Sequence, residues 1–322
     1  NVVVPTDLLE QHGADAVRYW AASGRPGTDT AFDAGQMKIG RRLAIKLLNA
    51  SKFALGAGEV PPGATVTEAI DRAMLAELAG LVDDATKAFD GFDYARALQR
   101  TEDFFWRFCD DHRELVKGRA YRDDAGAASA RAALHLALST LLRLFAPFLP
   151  YATEEVWSWC RTADGALPGF EAASIHRAPW PEAGALRAAA GVEPGADGVP
   201  SVLVVAAEVL GRIRKAKSDA KVSMRTDVER VAVTDTADRL AALALVADDV
   251  RDAGRVAELV TTAADGELQV EVTLAPAEPA AGLGKGTLSA RPAIQAAGSM
   301  ISASTAKPPT PQRQPWAAAR LW

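Results

Sequence analysis

Apolar residues recur at steps of three and four along most of the first half of the chain. Ile39, Leu43, Leu47, Ala50 and Ala54 make one such stripe, with no Gly or Pro between Gly40 and Gly56. They predict an amphipathic helix. Before it, "TDLLEQH" (6–12) reads as a short helix with Thr6 as N-cap and a stop at Gly13, and "ADAVRYWAAS" (14–23) as a second. The intervening "GRPGTDTAFD" is turn chemistry. After a loop at 56–66, Met74, Leu78, Leu81, Val82, Ala85 and Phe89 mark a long helix that Gly91 interrupts. Tyr94, Leu98, Phe105, Phe108 and Leu115 mark the next, to about residue 117, and Leu134, Leu138, Leu141, Leu142 and Phe145 another, stopped by Pro147. A shorter helix is predicted for residues 153–160.

The rhythm then changes. Regular signals fade from residue 161 to 198, where "HRAPWPEAGA" reads as a Pro-broken loop lying over the helices. From about residue 200 a helix (201–217), an alternating strand "VERVAVTD" (228–235), the helical "DRLAALALVADDVRDAG" and the strand-like "RVAELV" and "LQVEVTL" follow. Beyond residue 275 periodicity is absent and Gly, Ala, Ser, Thr and Pro dominate, so residues 276–322 are expected to be a disordered tail. The predicted fold class is mainly α: a helical bundle over 36–185, a small α/β module over 200–275, then the tail.

Length and composition are those of an ordinary globular chain, with 322 residues, 49% apolar and 24% charged. No apolar run approaches the roughly 20 residues of a membrane span, and "NVVVPTDLLE" does not read as a signal peptide. The start without Met is expected of a fragment or a processed product. Two distant cysteines, Cys109 and Cys160, suggest neither a disulfide framework nor a zinc module and fit a reducing cytoplasm. A net charge of −5 changes the picture more. The tail has five basic residues against Glu278, a surplus of +4, which leaves −9 for residues 1–275. A chain this acidic is no general polyanion binder, so any contact with nucleic acid must be local.

One local patch stands out. Lys38, Arg42, Lys46 and Asn49 follow the helical rhythm beside the apolar stripe, Phe53 continues their face, and Arg41 and Lys52 flank it. Cations neutralise phosphates, an amide can read a base edge, and a ring can stack on an unpaired base. A solvated helix face explains the same pattern. A second basic stretch, Arg212, Arg214, Lys215 and Lys217, ends the helix at 201–217, and Arg212 and Lys215 are candidate secondary RNA contacts.

Complete catalytic motifs are missing. No phosphate-loop, dinucleotide or nucleophile-elbow pattern occurs, and "GLGKGT" (282–287) lacks the spacing of one. The four histidines are dispersed, and the pair Cys109 and His112 reads as a half-buried thiol beside a solvated imidazole. Asp110 and Asp111 read as a solvated face. In "EDFFWRFCDDHRELVK" (102–117), Phe105 and Phe108 are expected in the core, whereas Phe104 or Trp106 could be exposed for stacking.

Several stretches resemble bacterial valyl-tRNA synthetases, class I aminoacyl-tRNA synthetases. Asn1-Val2-Val3 resembles the segment after their lysine-serine ATP signature. Gly13 to Arg18, the turn Pro26 to Asp33, and Lys46 to Phe53 resemble the motifs that follow. "FFWRFCDDHRELVK", "LLRLFAPFLPYATEEVW" and "HRAPWP" resemble the anticodon-binding bundle, and "AKVSMRTDVERVAV" the small module after it. The resemblance covers residues 1 to about 275. It implies that 1–35 end the catalytic domain and brace it against the bundle, and that Lys38, Arg41, Arg42, Lys46, Asn49, Lys52 and Phe53 face the anticodon stem-loop of tRNA(Val). The implied enzyme is a cytoplasmic, monomeric ligase joining valine to tRNA with ATP and magnesium. Both ATP signatures are absent here, so no catalytic, cofactor or metal residue is expected in this chain, and its partners would be tRNA(Val) and the missing catalytic domain. A stand-alone RNA- or partner-binding module, or the same region of an isoleucyl-tRNA synthetase, remains the alternative.

Overall fold

The computed structural model describes residues 4–162, 165–191 and 201–276. The disordered-tail expectation for 276–322 lies, but for Pro276, outside the described residues. The chain begins with α1 (Pro5–His12) and α2 (Ala14–Ser23), then a turn, then α3 (Ala34–Gly56), α4 (Ala69–Asp90) and α5 (Tyr94–Arg107). A five-residue π turn (Phe108–His112) leads into α6 (Arg113–Ala120), followed by α7 (Ala125–Phe145) and α8 (Pro150–Trp159). A short hairpin, β1 (Arg161–Thr162) and β2 (Gly165–Ala166), a 3-10 turn (Ile175–Arg177) and α9 (Ala183–Ala190) come next. The last elements are α10 (Val202–Asp219), β3 (Val228–Asp235), α11 (Ala237–Ala244), α12 (Ala247–Gly254), β4 (Val256–Ala263) and β5 (Gln269–Leu274).

Local chemistry fixes the helix ends. Asp33 caps α3 by accepting from the backbone N–H of Gly35 at 2.7 Å, Asp93 caps α5 through Arg96 N at 3.1 Å, and Asp124 caps α7 through Ala127 N at 2.7 Å. Two predicted starts move. Val4 rather than Thr6 is the N-cap of α1, and α8 begins at Pro150 rather than at residue 153. In both, proline opens the helix, where its missing N–H is harmless and its fixed φ is already helical. At the end of α4 the N–H of Asp93 reaches Ala88 O at 2.8 Å and that of Phe92 reaches Phe89 O at 3.0 Å. This cap puts Phe92 at φ 58°, a left-handed position that usually falls to glycine, and leaves its ring 83% exposed.

The predicted stripes form one core. Leu43, Leu47, Ala50 and Ala54 of α3 meet Met74, Leu78, Leu81, Val82 and Ala85 of α4, Leu98, Phe104 and Phe105 of α5, and Leu134, Leu138, Leu141, Leu142 and Phe145 of α7. Gly40 lets α3 lie against α2, since a Cβ there would fall 2.6 Å from Tyr19 Cβ. The π turn inserts extra backbone into a continuous helix, so that Phe108, Cys109 and His112 point inward while Asp110 remains outside. Cys109 and His112 are therefore both buried, correcting the expectation of a half-buried thiol and a solvated imidazole. Burial pushes the Cys109 thiol up to about 12.

Residues 161–191 are more ordered than the fading periodicity suggested. Trp157 Nε1 donates to Ala172 O at 2.8 Å, and Trp180 Nε1 donates to Thr86 Oγ1 at 2.9 Å with its ring edge-on to Phe89. The helix α9, absent from the sequence prediction, follows. Its alanines give little contrast between faces, yet Ala183, Leu186 and Ala190 are buried and Arg187 pairs with Asp83 of α4.

In the C-terminal part β3 is central, in the order β4-β3-β5. It runs parallel to β4, through the α11–α12 crossover, and antiparallel to β5. Leu203, Ala206, Val209, Leu210 and Ile213 of α10 bury against Val228, Val231 and Val233.

A buried ionic centre ties this part to the bundle. Every N–H of the Arg119 guanidinium on α6 is used. It grips Asp71 of α4 at 2.8 and 3.1 Å and Asp249 of α12 at 2.9 and 3.1 Å, and donates to Gly126 O at 2.7 Å. Ser129 Oγ donates to Asp71 at 2.8 Å, and His112 Nε2 lies 3.3 Å from the same carboxylate. Burial opposes the charge of Asp71, but the hydrogen bonds from His112 and Arg119 win and hold its carboxyl below the usual value. At Asp249 burial prevails over Arg119 and the carboxyl is raised.

Candidate nucleic-acid interface

α3 is built by a stripe of buried apolar side chains and carries its polar ridge along one flank of that stripe. Lys38, Arg41, Arg42, Asn49 and Lys52 are exposed, while Lys46 and Phe53 are half-buried. The side chains of Lys38, Arg42 and Asn49 have no hydrogen-bond or ion-pair partner among the described residues. The other ridge residues are held. Arg41 donates to Gln11 O of α1 at 2.7 Å, which draws it toward the N-terminal helices. Lys52 lies 5.8 Å over the ring of Trp159. Lys46 lies 5.2 Å over Trp106 and pairs with Asp110 at 2.9 Å.

Phe53 packs against the core as well as facing outward. Its ring meets Tyr121 edge-on at 6.0 Å, and the guanidinium of Arg113 sits 5.6 Å over it. Tyr121 is itself 55% exposed, so the end of the ridge presents two aromatic edges beside a cation. The sequence did not associate Tyr121, Arg113, Trp106 or Asp110 with α3, because each lies more than fifty positions away along the chain. Trp106 is half-buried beneath Lys46, and Phe104 is buried with Phe105 and Phe108.

The two basic stretches, separate in sequence, converge on the π turn. Arg214 of α10 donates to the backbone carbonyl of Asp110 at 2.8 Å, while the carboxylate of the same residue holds Lys46 of α3. The α10 side of this junction is thinner than its sequence implied. Arg212 is exposed and Lys215 pairs with Asp219 at 2.8 Å, but Lys217 is buried and donates to Met224 O and Gly254 O at 3.2 and 2.8 Å. Burial lowers the pKa of Lys217, and the residue supports the fold rather than the surface.

Among the described residues, no group of three or more His, Cys, Asp and Glu is placed to hold a metal ion, and no helix is long and apolar enough to cross a membrane. The arrangement offers cations, an amide and ring edges on one helix face, which is chemistry for phosphates and unpaired bases.

A family model described as the anticodon-binding domain of tRNA ligase matches residues 71–233, from the start of α4 to β3. The chain belongs to this family. Helix α3 with its ridge precedes the matched span of this anticodon-binding domain family. Curated relatives extend the likeness. Proteins named "Valine--tRNA ligase" from Thermobifida fusca, Salinispora tropica and Leifsonia xyli are 58%, 53% and 50% identical, over 86%, 85% and 82% of this chain. The chain spans only 30%, 32% and 29% of their respective lengths.

Proposed function

We propose that this chain is the tRNA-positioning part of a valine–tRNA ligase, and that the α3 face receives the anticodon stem-loop of tRNA(Val). The observation that carries the reading is the pair of exposed cations Lys38 and Arg42, unpartnered among the described residues and in line with Lys46, Asn49 and Phe53, on a member of an anticodon-binding family. An unpaired surface cation keeps its full charge for a phosphate, whereas a cation already in an ion pair must first exchange partners.

In this reading Lys38, Arg42 and Lys46 contact phosphates, and Arg41 and Lys52 add positive potential at the flanks. Asn49 reads a base edge, and Phe53, with Tyr121 beside it, stacks an unpaired base. Arg212 and Lys215 give secondary contacts from α10. Residues 1–35 brace a catalytic domain against the bundle of 36–185, and 200–275 act as a module behind it. Such an arrangement would hold the tRNA so that its far end meets the reacting groups, a contribution of positioning rather than chemistry. Activation of valine with ATP and magnesium belongs, on this reading, to the catalytic domain of the cytoplasmic ligase. No step of it is assigned to the residues described here.

The test compares binding of unmodified tRNA(Val) and tRNA(Ile) transcripts to this chain at two salt concentrations, alongside valine-dependent pyrophosphate exchange. Salt-sensitive binding that favours tRNA(Val), without exchange, is the expected result. Equal or absent binding at low salt would overturn it.

A further inference from the structure

Five cations rise along α3, and among the described residues only Lys46 is paired with a carboxylate. Its partner, Asp110, comes from the π turn, whose extra backbone lets the segment bury Cys109 and His112 while Asp111 is half-buried and Asp110 stays exposed. The Asp110 carboxylate is 57% exposed and touches the ammonium at 2.9 Å, the distance and geometry at which a phosphate oxygen would sit. Lys46 does not need Asp110 to stay in place. Its stem is half-buried and its ammonium lies over Trp106. Nor does the junction with α10 need the carboxylate, since Arg214 bonds the Asp110 backbone carbonyl.

We propose that Asp110 is an internal competitor for RNA phosphate: in the free protein its carboxylate occupies Lys46, and an RNA strand that contacts Lys46 must displace it. The inference rests on the reading of α3 as an RNA-contact face and deepens it. Once displaced, the carboxylate is left beside the incoming phosphate, and like charges at that separation repel. Asp110 therefore weakens binding and flattens its dependence on salt, because the freed acid takes up a cation as the RNA releases one. Attraction by the basic ridge alone is reduced, and strands that also engage Asn49 and Phe53 retain the larger share of their affinity.

The experiment measures the affinity of a tRNA(Val) transcript as a function of salt for the full chain, Asp110→Asn, Asp110→Glu, Lys46→Ala and the double variant Asp110→Asn with Lys46→Ala. Thermal melting serves as the control for folding. Asp110→Asn should bind roughly two- to fivefold more tightly, the range expected for loss of an exposed ion pair, with a steeper salt slope and a melting temperature lowered by no more than about 2–4 °C, since the same pair is lost from the free fold. Asp110→Glu should restore the parent affinity. On the Lys46→Ala background the gain should vanish. Unchanged or weaker binding by Asp110→Asn overturns the proposal, as does a gain that survives without Lys46, since the acid would then act only through net charge. Binding by the parent chain that is unaffected at Asp110 leaves the RNA reading standing, whereas no binding by any of the variants or the parent removes both.

Discussion

Charge is used in opposite ways at two places on the same bundle. At the junction of α4, α6 and α12, Arg119 is buried and every N–H is spent on Asp71, Asp249 or Gly126 O. On α3, Lys38 and Arg42 stand in solvent with no partner among the described residues. The first arrangement fixes how two parts of the chain meet, and the second leaves charge available to a ligand. A buried pair is intolerant of losing one member, because the other is stranded in a poor solvent, whereas an exposed cation can be removed with little effect on folding. Stability and binding should therefore respond to different residues.

The largest effect is expected at the buried centre. Asp71→Ala strands Arg119 between Asp249 and Gly126 O and should destabilise the protein by about 3–5 kcal/mol, read by chemical denaturation. Asp71→Asn sharpens the comparison through pH. The folded carboxyl lies below its ordinary 3.8, so the unfolded chain binds the proton more readily and stability rises with pH through that region. This contribution is fully present above 3.8 and is lost as pH falls through the lower folded value. The acid limb of the stability curve should be shallower in Asp71→Asn, and an unchanged limb would show that folding does not lower the Asp71 pKa.

Phe53 lies between the two regimes. It packs against the core and Tyr121 while reaching the end of the ridge. Phe53→Ala should lower stability by less than the roughly 3–5 kcal/mol of a fully buried ring and should also cost about 1–3 kcal/mol of tRNA binding if the ring stacks on a base. A loss of stability alone, with affinity intact, would move Phe53 wholly to the structural side. Lys46→Ala comes next. It should weaken tRNA binding while changing stability by no more than about 1 kcal/mol, since the exposed pair with Asp110 and the contact with Trp106 go together. Arg42→Ala should have the smallest effect on folding, within about 0.5 kcal/mol, while still weakening binding.

Much of the bundle was legible because its helices have one apolar stripe each. Leu43 and Leu47, or Leu138 and Leu142, announce both the element and its buried face, whereas the caps at Asp33, Asp93 and Asp124 were not read from the sequence and the one that was, Thr6, gives way to Val4. α9 was not legible, since "AGALRAAA" presents small residues all round and owes its order to α4. The ridge could be drawn from spacing alone, but its pairing could not. Asp110 sits 64 positions from Lys46, and nothing in "CDDH" foretells a π turn that buries Cys109 and His112 and turns Asp110 outward. The ionic centre was equally hidden. Asp71, Arg119 and Asp249 each look like a solvated helix position until packing brings them together, although Arg119 lies 48 positions from Asp71 and 130 from Asp249.

The most direct measurement is the affinity of tRNA(Val) for the parent chain and for the Lys38→Ala and Arg42→Ala variants over a range of salt, with melting temperatures recorded alongside. Each cation that meets a phosphate should take about 0.7–0.9 from the slope of log affinity against log salt, with the melting temperature unchanged. Slopes and affinities identical to the parent in both variants would contradict the assignment of the α3 face to RNA.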